Sequence, residues 1–299
     1  MRVVISFVVV FVLAGACIKN NPDPFWIEVT AWDLVNNPDE NPADKYKPGV
    51  LTHAIKDVWL YVDNSLIGVF EVPFKVPVLS EGVKEIRMIA GVHNNGISAT
   101  KVKYPFFEPY VVTLDLVKNE TYHIDPVTMY ATSTEFWIED FENSSNAFVD
   151  GNATLSSLVP SNDPAVFNSE INGAQFGRIS LNNTDNLYVG STDVLGISGI
   201  PIGLPKGIDC YLEIDYHNTA DLTTGLLALS TTDGLLNPLV RLNKQFESEV
   251  EWKKIYIDLR EVVSGSTSAD YFEFTLDALL PSGVNSAEIN IDNFKAVHF

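Results

Sequence analysis

The chain is short of positive charge. Among its 299 residues 19 are Lys or Arg and 39 are Asp or Glu, for a formal net charge of −20. Phosphate binding draws most of its affinity from clustered basic side chains, so nucleic acid is not an expected partner. Calcium and uncharged ligands such as neutral glycans are compatible with this balance, as is plain solubility. Cysteine is as scarce: only Cys17 and Cys210 occur, which excludes a disulfide framework. Cys210, within Ile208-Asp209-Cys210-Tyr211-Leu212, reads as a buried small hydrophobe. No apolar run approaches the roughly 20 residues that a permanent membrane-spanning helix needs.

Enzyme signatures are missing too. There is no Gly-x-Ser-x-Gly, no His-Glu-x-x-His and no phosphate-cradling glycine loop. The acid pairs Glu139 with Glu142 and Glu213 with Asp215 stand three and two residues apart, a spacing common by chance in so acidic a chain, whereas acid–base catalysis needs placed partners. His53, His93 and His123 share no metal-ligand spacing and read as ordinary surface or strand histidines. His217, at alternate positions from Glu213 and Asp215, reads as part of a solvated stripe. The chain is not expected to be an enzyme.

What is present begins at the N-terminus. Arg2, the apolar run Val3 to Leu13 and the small residues Ala14-Gly15-Ala16 form the pattern of a secretory signal over residues 1–16. The triplet ending on Cys17 resembles the lipobox of bacterial lipoproteins, with Leu13 four residues before the cysteine where that family usually has it three before. This resemblance implies cleavage before Cys17, a lipid on its thiol and attachment to the outer membrane, on either its periplasmic or its surface face. The other reading is an ordinary signal peptide cut near Ala16, with Cys17 a free thiol. Residues 17–24 are polar and proline-punctuated after Cys17, which suits a tether between a lipid anchor and a folded body.

From Phe25 the hydrophobic period is two, and residues 25–130 read as a first all-β domain. The pattern predicts strands at Phe25 to Trp32, Ala54 to Val62, Ser65 to Phe70, Phe74 to Leu79 and Val83 to Ile89, and a hairpin of Val111 to Leu116 with Thr121 to Ile124. Asp63-Asn64 suits a primed hairpin turn, because both residue types tolerate positive φ. The rings of Tyr104-Pro105-Phe106-Phe107-Glu108-Pro109-Tyr110 are expected to cap the core. Tyr61-Val62-Asp63-Asn64-Ser65-Leu66-Ile67-Gly68 and Ser80-Glu81-Gly82-Val83-Lys84-Glu85-Ile86 resemble the PEGA-type surface domains, which implies an immunoglobulin-like β-sandwich associated with bacterial cell surfaces.

Asp125 to Glu135 is a plausible junction, and residues 136–299 carry short apolar runs separated by Asn, Gly, Ser, Thr and Asp. Strands are predicted at Gln175 to Leu181, Cys210 to His217, Thr224 to Ser230, Leu239 to Leu242, Trp252 to Asp258, Tyr271 to Leu279 and Ala287 to Val297. Short strands at turn-signal spacing mean a sandwich or jelly roll, so the expected fold class is all-β, with two β-sandwich domains of which the second is a jelly roll.

Three passages carry a closer likeness: Ile138-Glu139-Asp140-Phe141-Glu142, Trp252-Lys253-Lys254-Ile255-Tyr256-Ile257-Asp258-Leu259, and Ala287-Glu288-Ile289-Asn290-Ile291-Asp292-Asn293-Phe294. They resemble the galactose-binding-like jelly rolls, which include many carbohydrate-binding modules. The resemblance implies a structural calcium between first and last strands, held by Glu139, Asp140, Glu142 and Asp292, since Ca²⁺ takes six to eight oxygen ligands. The same acids equally suit solvated edge strands. It also implies glycan binding through exposed rings, for which Tyr188, Tyr216 and Tyr271 are candidates; Trp252, inside an alternating strand, is expected to pack instead. The leading expectation is a lipid-anchored, noncatalytic envelope protein that binds glycan. The alternative is a structural or assembly accessory of the outer membrane that binds protein partners. Exposed rings on the sandwich would favour the first and a broad apolar patch the second.

Overall fold

The computed structural model describes residues 23–39, 47–193, 203–230 and 232–299. The signal segment, Cys17 and most of the tether lie outside the described residues. In the first domain the strands are β1 (Phe25–Val29), β2 (Asp33–Leu34), β3 (Asp57–Val62), β4 (Ser65–Glu71), β5 (Phe74–Val78), β6 (Gly82–His93), β7 (Lys101–Lys103), β8 (Tyr110–Leu116), β9 (Thr121–His123) and β10 (Val127–Thr128). They form a five-stranded sheet, β4-β3-β6-β7 with β8 also on β6, a three-stranded sheet β5-β1-β9, and the short pair β10-β2.

Alternation makes this domain a sandwich. Phe25, Ile27 and Val29 of β1 face Val58, Leu60 and Val62 of β3 and Ile86, Met88 and Ala90 of β6 in one core, while Trp59 and Tyr61 take the opposite face of β3. Asp63 and Asn64 both have positive φ, 47° and 63°, the conformation a two-residue primed turn requires. One predicted pairing is corrected. β8 does not form a hairpin with Thr121 to Ile124; β8 pairs with β6, and β9 joins β1 in parallel. The chain changes sheets between them, and the Tyr122 hydroxyl holds the corner by donating to the Asp115 carbonyl at 2.7 Å and accepting the Val117 N–H at 2.9 Å.

The second domain contains β11 (Glu135–Glu139), β12 (Phe148–Asp150), β13 (Leu158–Ser161), β14 (Phe176–Asn182), β15 (Leu187–Thr192), β16 (Cys210–Asn218), β17 (Leu222–Leu229), β18 (Gly234–Leu242), β19 (Lys253–Asp258), a short helix α1 (Arg260–Gly265), β20 (Tyr271–Leu279) and β21 (Ser286–His298). A six-stranded sheet, β13-β14-β21-β16-β19 with β11 on β21, packs on a five-stranded sheet, β12-β15-β20-β17-β18. Between them lie Phe141, Tyr188, Leu212, Ile214, Leu226, Phe274, Ile289, Ile291 and Phe294. The molecule is all-β, with a jelly-roll sandwich as its second domain.

Burial along the strands reveals a third layer. In β15 it alternates, as expected for a sheet with one open face, but β16 and β21 are buried at almost every residue. Cys210, Leu212 and Ile214 face the jelly-roll core, whereas Tyr211, Tyr256 and Val297 on the other face belong to the core of the first domain. The six-stranded sheet is therefore covered on both sides. The proline-flanked rings cap this junction: Tyr104, Phe106 and Phe107 are buried, and Tyr104 meets Tyr211 and Tyr256 edge to face at centroid distances of 5.3 and 4.8 Å.

Candidate binding cleft at the domain seam

Where the first domain covers the six-stranded sheet, it buries charge. Glu213, Asp215 and Lys295 are almost fully buried, and Lys254 joins them with its Nζ 2.9 Å from Glu213 and 3.6 Å from Asp215. The first domain supplies the remaining partners. Tyr104 and Tyr130 donate hydroxyl protons to Glu213 at 2.5 and 2.9 Å, Thr52 donates to Asp215 at 2.5 Å, and Lys295 donates to the Val50 carbonyl at 2.5 Å. Buried charge is costly unless paired and hydrogen-bonded, and here Lys254 pairs with both acids while Lys295 is held by a backbone carbonyl. Burial alone would raise the Glu213 carboxyl, but Lys254, Lys295 and the Tyr104 hydroxyl outweigh it and hold Glu213 below its ordinary value. Burial likewise opposes the Lys254 charge, and Asp215 and Glu213 overcome that to raise its pKa. Lys295, buried beside Lys254, is pushed down to about 8. Glu213 and Asp215 of the stripe that reads as solvated in the sequence thus belong to an inter-domain ion cluster, while His217 packs against Trp252.

A cleft of about 470 Å³ opens along the rim of this seam. His53, Lys56, His93 and Gly96 form one wall from the first domain, and Tyr216, Glu251, Trp252, Lys253 and Lys254 form the other from the second. A neighbouring cavity of about 270 Å³ shares His53, Trp252, Lys253 and Lys254 and adds Thr52, Glu170 and Asp215. Trp252 stands between the two and is rigidly held: its indole N–H donates to the Val166 carbonyl at 2.8 Å and its ring packs against Phe176 and His217 at centroid distances of 5.7 and 5.8 Å. Its packing is as expected, yet it stays half-buried and lines the cleft. Burial lowers the pKa of His53, and Lys254 and Lys56 lower it further. The Ile55 N–H lies 3.4 Å from its Nδ1, which assigns the proton of the neutral ring to Nε2. His93 Nε2 lies 3.0 Å from the buried carboxylate of Asp57, which also pairs with Lys101.

The other predicted positions are scattered. Tyr188 is fully buried in the jelly-roll core, so its ring is not available to stack on a sugar. Tyr216 is half-buried in the cleft wall. Tyr271 lies on the opposite side of the domain, on the outer face of the five-stranded sheet, with Glu273, Thr275 and Asp277 at alternate positions of β20.

Glu139, Asp140, Glu142 and Asp292 are committed to other partners. Glu139 accepts the backbone N–H groups of Phe141 and Ala147, Asp140 that of Glu142, and Glu142 those of Ala174 and Gln175. Asp292 accepts from the Asn172 amide at 2.7 Å and from the Asn293 N–H at 2.7 Å. Among the described residues no group of three or more His, Cys, Asp or Glu side chains is placed to hold a metal ion, so these four do not fit a calcium site as they stand. Asp292 is pushed up to about 8, chiefly by burial. Cys210 is buried as expected, and burial pushes its thiol up to about 12.

His53, Lys56, His93 and Lys253 were not legible as a site. They come from separate stretches of two domains, and no local spacing connects them.

No family model matches the chain, and no curated protein matches it either. Among solved structures, a carbohydrate-binding module of the β-sandwich superfamily is 10% identical, covering 81% of this chain and 84% of its own, at a TM-score of 0.38. A family 22 xylan-binding domain from Paenibacillus barcinonensis is 14% identical, covering 54% of this chain and 98% of its own, at 0.37. A family 29 carbohydrate-binding module is 10% identical, covering 55% and 85%, at 0.31. Likenesses at this level add nothing to the strand order and register given above.

Proposed function

We propose that the protein is a noncatalytic glycan-binding protein of the cell envelope, held to the outer membrane by lipid on Cys17, and that the seam cleft is its glycan site. The observation that carries this reading is the pair Trp252 and Tyr216, two half-buried rings in the wall of an open cleft that also carries the hydrogen-bonding side chains of His53, Lys56, His93, Glu251 and Lys253. Sugar recognition uses such surfaces, an apolar ring for the face of the pyranose and polar groups for its hydroxyls. The cleft volume lies within the roughly 300–1,000 Å³ range of ligand sites. The PEGA-like character of the first domain belongs to the same proposal.

A noncatalytic role is supported by the fate of the acids. Glu213 and Asp215 are locked beneath the first domain. On the open sheet Glu273 and Asp277 stand four residues apart on one strand, roughly 13 Å at 3.3 Å per residue, beyond the roughly 5–9.5 Å that glycoside cleavage uses.

One observation favours the alternative, an accessory that binds protein partners. Leu235, Leu236 and Leu279, at the margins of the five-stranded sheet, are more than half exposed, as a protein-docking face requires. A glycan array probed with purified protein separates the two. Binding to a defined glycan, reduced at least about tenfold by Trp252→Ala in a variant that keeps its melting temperature, supports the first reading. Absence of binding from folded protein overturns it and directs attention to the leucine-bearing margin.

A further inference from the structure

The seam cleft differs in charge from the rest of the molecule. The chain as a whole is strongly acidic, yet the cleft is lined by Lys56, Lys253, Lys254, His53 and His93 against one acid, Glu251. Lys254 is neutralised by Glu213 and Asp215 beneath the floor, and Lys253 makes only a loose, exposed contact with Glu251 at 3.7 Å. Lys56 has no carboxylate partner among the described residues, and it is exposed at the mouth. Lys56 and Lys253 thus both line the cleft, one from each domain, with Trp252 in the same lining.

Flexible ammonium groups at a cleft mouth raise the local concentration of anions, and a lysine that meets a carboxylate or sulfate forms a charge-assisted hydrogen bond about twice as strong as a neutral one. A neutral sugar can use these ammonium groups only as ordinary hydrogen-bond donors, whereas a carboxylate or sulfate also gains from their charge. Resting on the glycan reading above, we infer that the seam cleft selects an anionic glycan, one whose sugar rings carry carboxylate or sulfate, with the ring of one sugar on Trp252 and its acid group between Lys56 and Lys253.

Calorimetric titration of the full chain in detergent tests this with three probes of equal length: an oligomer of galacturonic acid, a sulfated galactan oligomer and a neutral galactan oligomer. The expected result is that one acidic probe binds at least about tenfold more tightly than the neutral probe and weakens as salt is raised, since the charges are exposed. Which acidic probe wins distinguishes carboxylate from sulfate. Lys56→Gln and Lys253→Gln should each weaken the acidic probe severalfold, remove part of its salt dependence and leave the melting temperature unchanged. Equal or tighter binding of the neutral probe, independent of salt, overturns the inference and leaves the glycan reading standing. Failure of all three probes, together with a blank glycan array, overturns both.

Discussion

On the six-stranded sheet of the second domain, Glu213, Asp215, Lys254 and Lys295 point away from that domain's core and are sealed beneath the first domain. On the five-stranded sheet, Glu273 and Asp277 also point away from the core with no second layer of described strands over them; Glu273 is buried singly and Asp277 is half-buried. In sequence the two sets look alike, acids at alternate positions of amphipathic strands. The difference is the third layer, which turns surface carboxylates into a buried network that binds two domains together. It also creates a rim, and the candidate cleft exists only where that rim leaves Trp252 and Tyr216 uncovered.

The largest contrast should come from deleting one acid on each sheet. Glu213→Ala leaves Lys254 and two tyrosine hydroxyls without their shared acceptor, and removing one partner of a buried ion pair costs about 3–5 kcal/mol. Asp277→Ala, at a half-buried side chain of the other sheet, should cost about 1 kcal/mol or less. Urea denaturation of both variants measures the difference, and similar costs would mean that the buried network does not hold the domains. Within the network, Tyr104→Phe removes one donor to Glu213 while Tyr130 remains, so a loss of about 1.5 kcal/mol is expected in the same assay.

Acidity offers a finer probe. Asp292, pushed up to about 8 by burial, keeps a proton in the folded state that the unfolded chain has already released. Its contribution is therefore greatest at low pH and is lost as pH rises from about 4 to about 8. Lys295, pushed down to about 8, runs the other way: the unfolded chain binds its proton more tightly, so stability returns as pH rises above 8 toward the ordinary lysine value. Denaturation across this range should show Asp292→Asn flattening the lower limb and leaving the upper one. The smallest effect is expected from chelation. Because Glu139, Asp140, Glu142 and Asp292 are taken by backbone and amide N–H groups, EDTA should leave the melting temperature unchanged, and a clear fall would show calcium joining the first and last strands.

Much of the architecture is legible in the residues. Period-two alternation in Val58-Trp59-Leu60-Tyr61-Val62 and the Asp63-Asn64 turn report local backbone preferences, and the observed register follows them. Tyr271 to Leu279 is found with the predicted bounds. Long-range choices are less readable. Nothing local distinguishes β9 pairing with β1 from a hairpin with β8, and Tyr188 carries no mark that its ring turns inward. The candidate cleft was legible only in part. Trp252 and Tyr216 stand out as rings, but His53, Lys56 and His93 reach them through the packing of one domain on another, a relation that no spacing within either domain encodes.

The most direct test of this account sets the two faces against each other with the tightest ligand from the glycan array. Calorimetric titration of Trp252→Ala, in the cleft, and Tyr271→Ala, on the open sheet, should show binding lost in the first and unchanged in the second, with both variants folded. Binding that survives without Trp252 and disappears without Tyr271 would contradict the account and move the glycan to the open sheet.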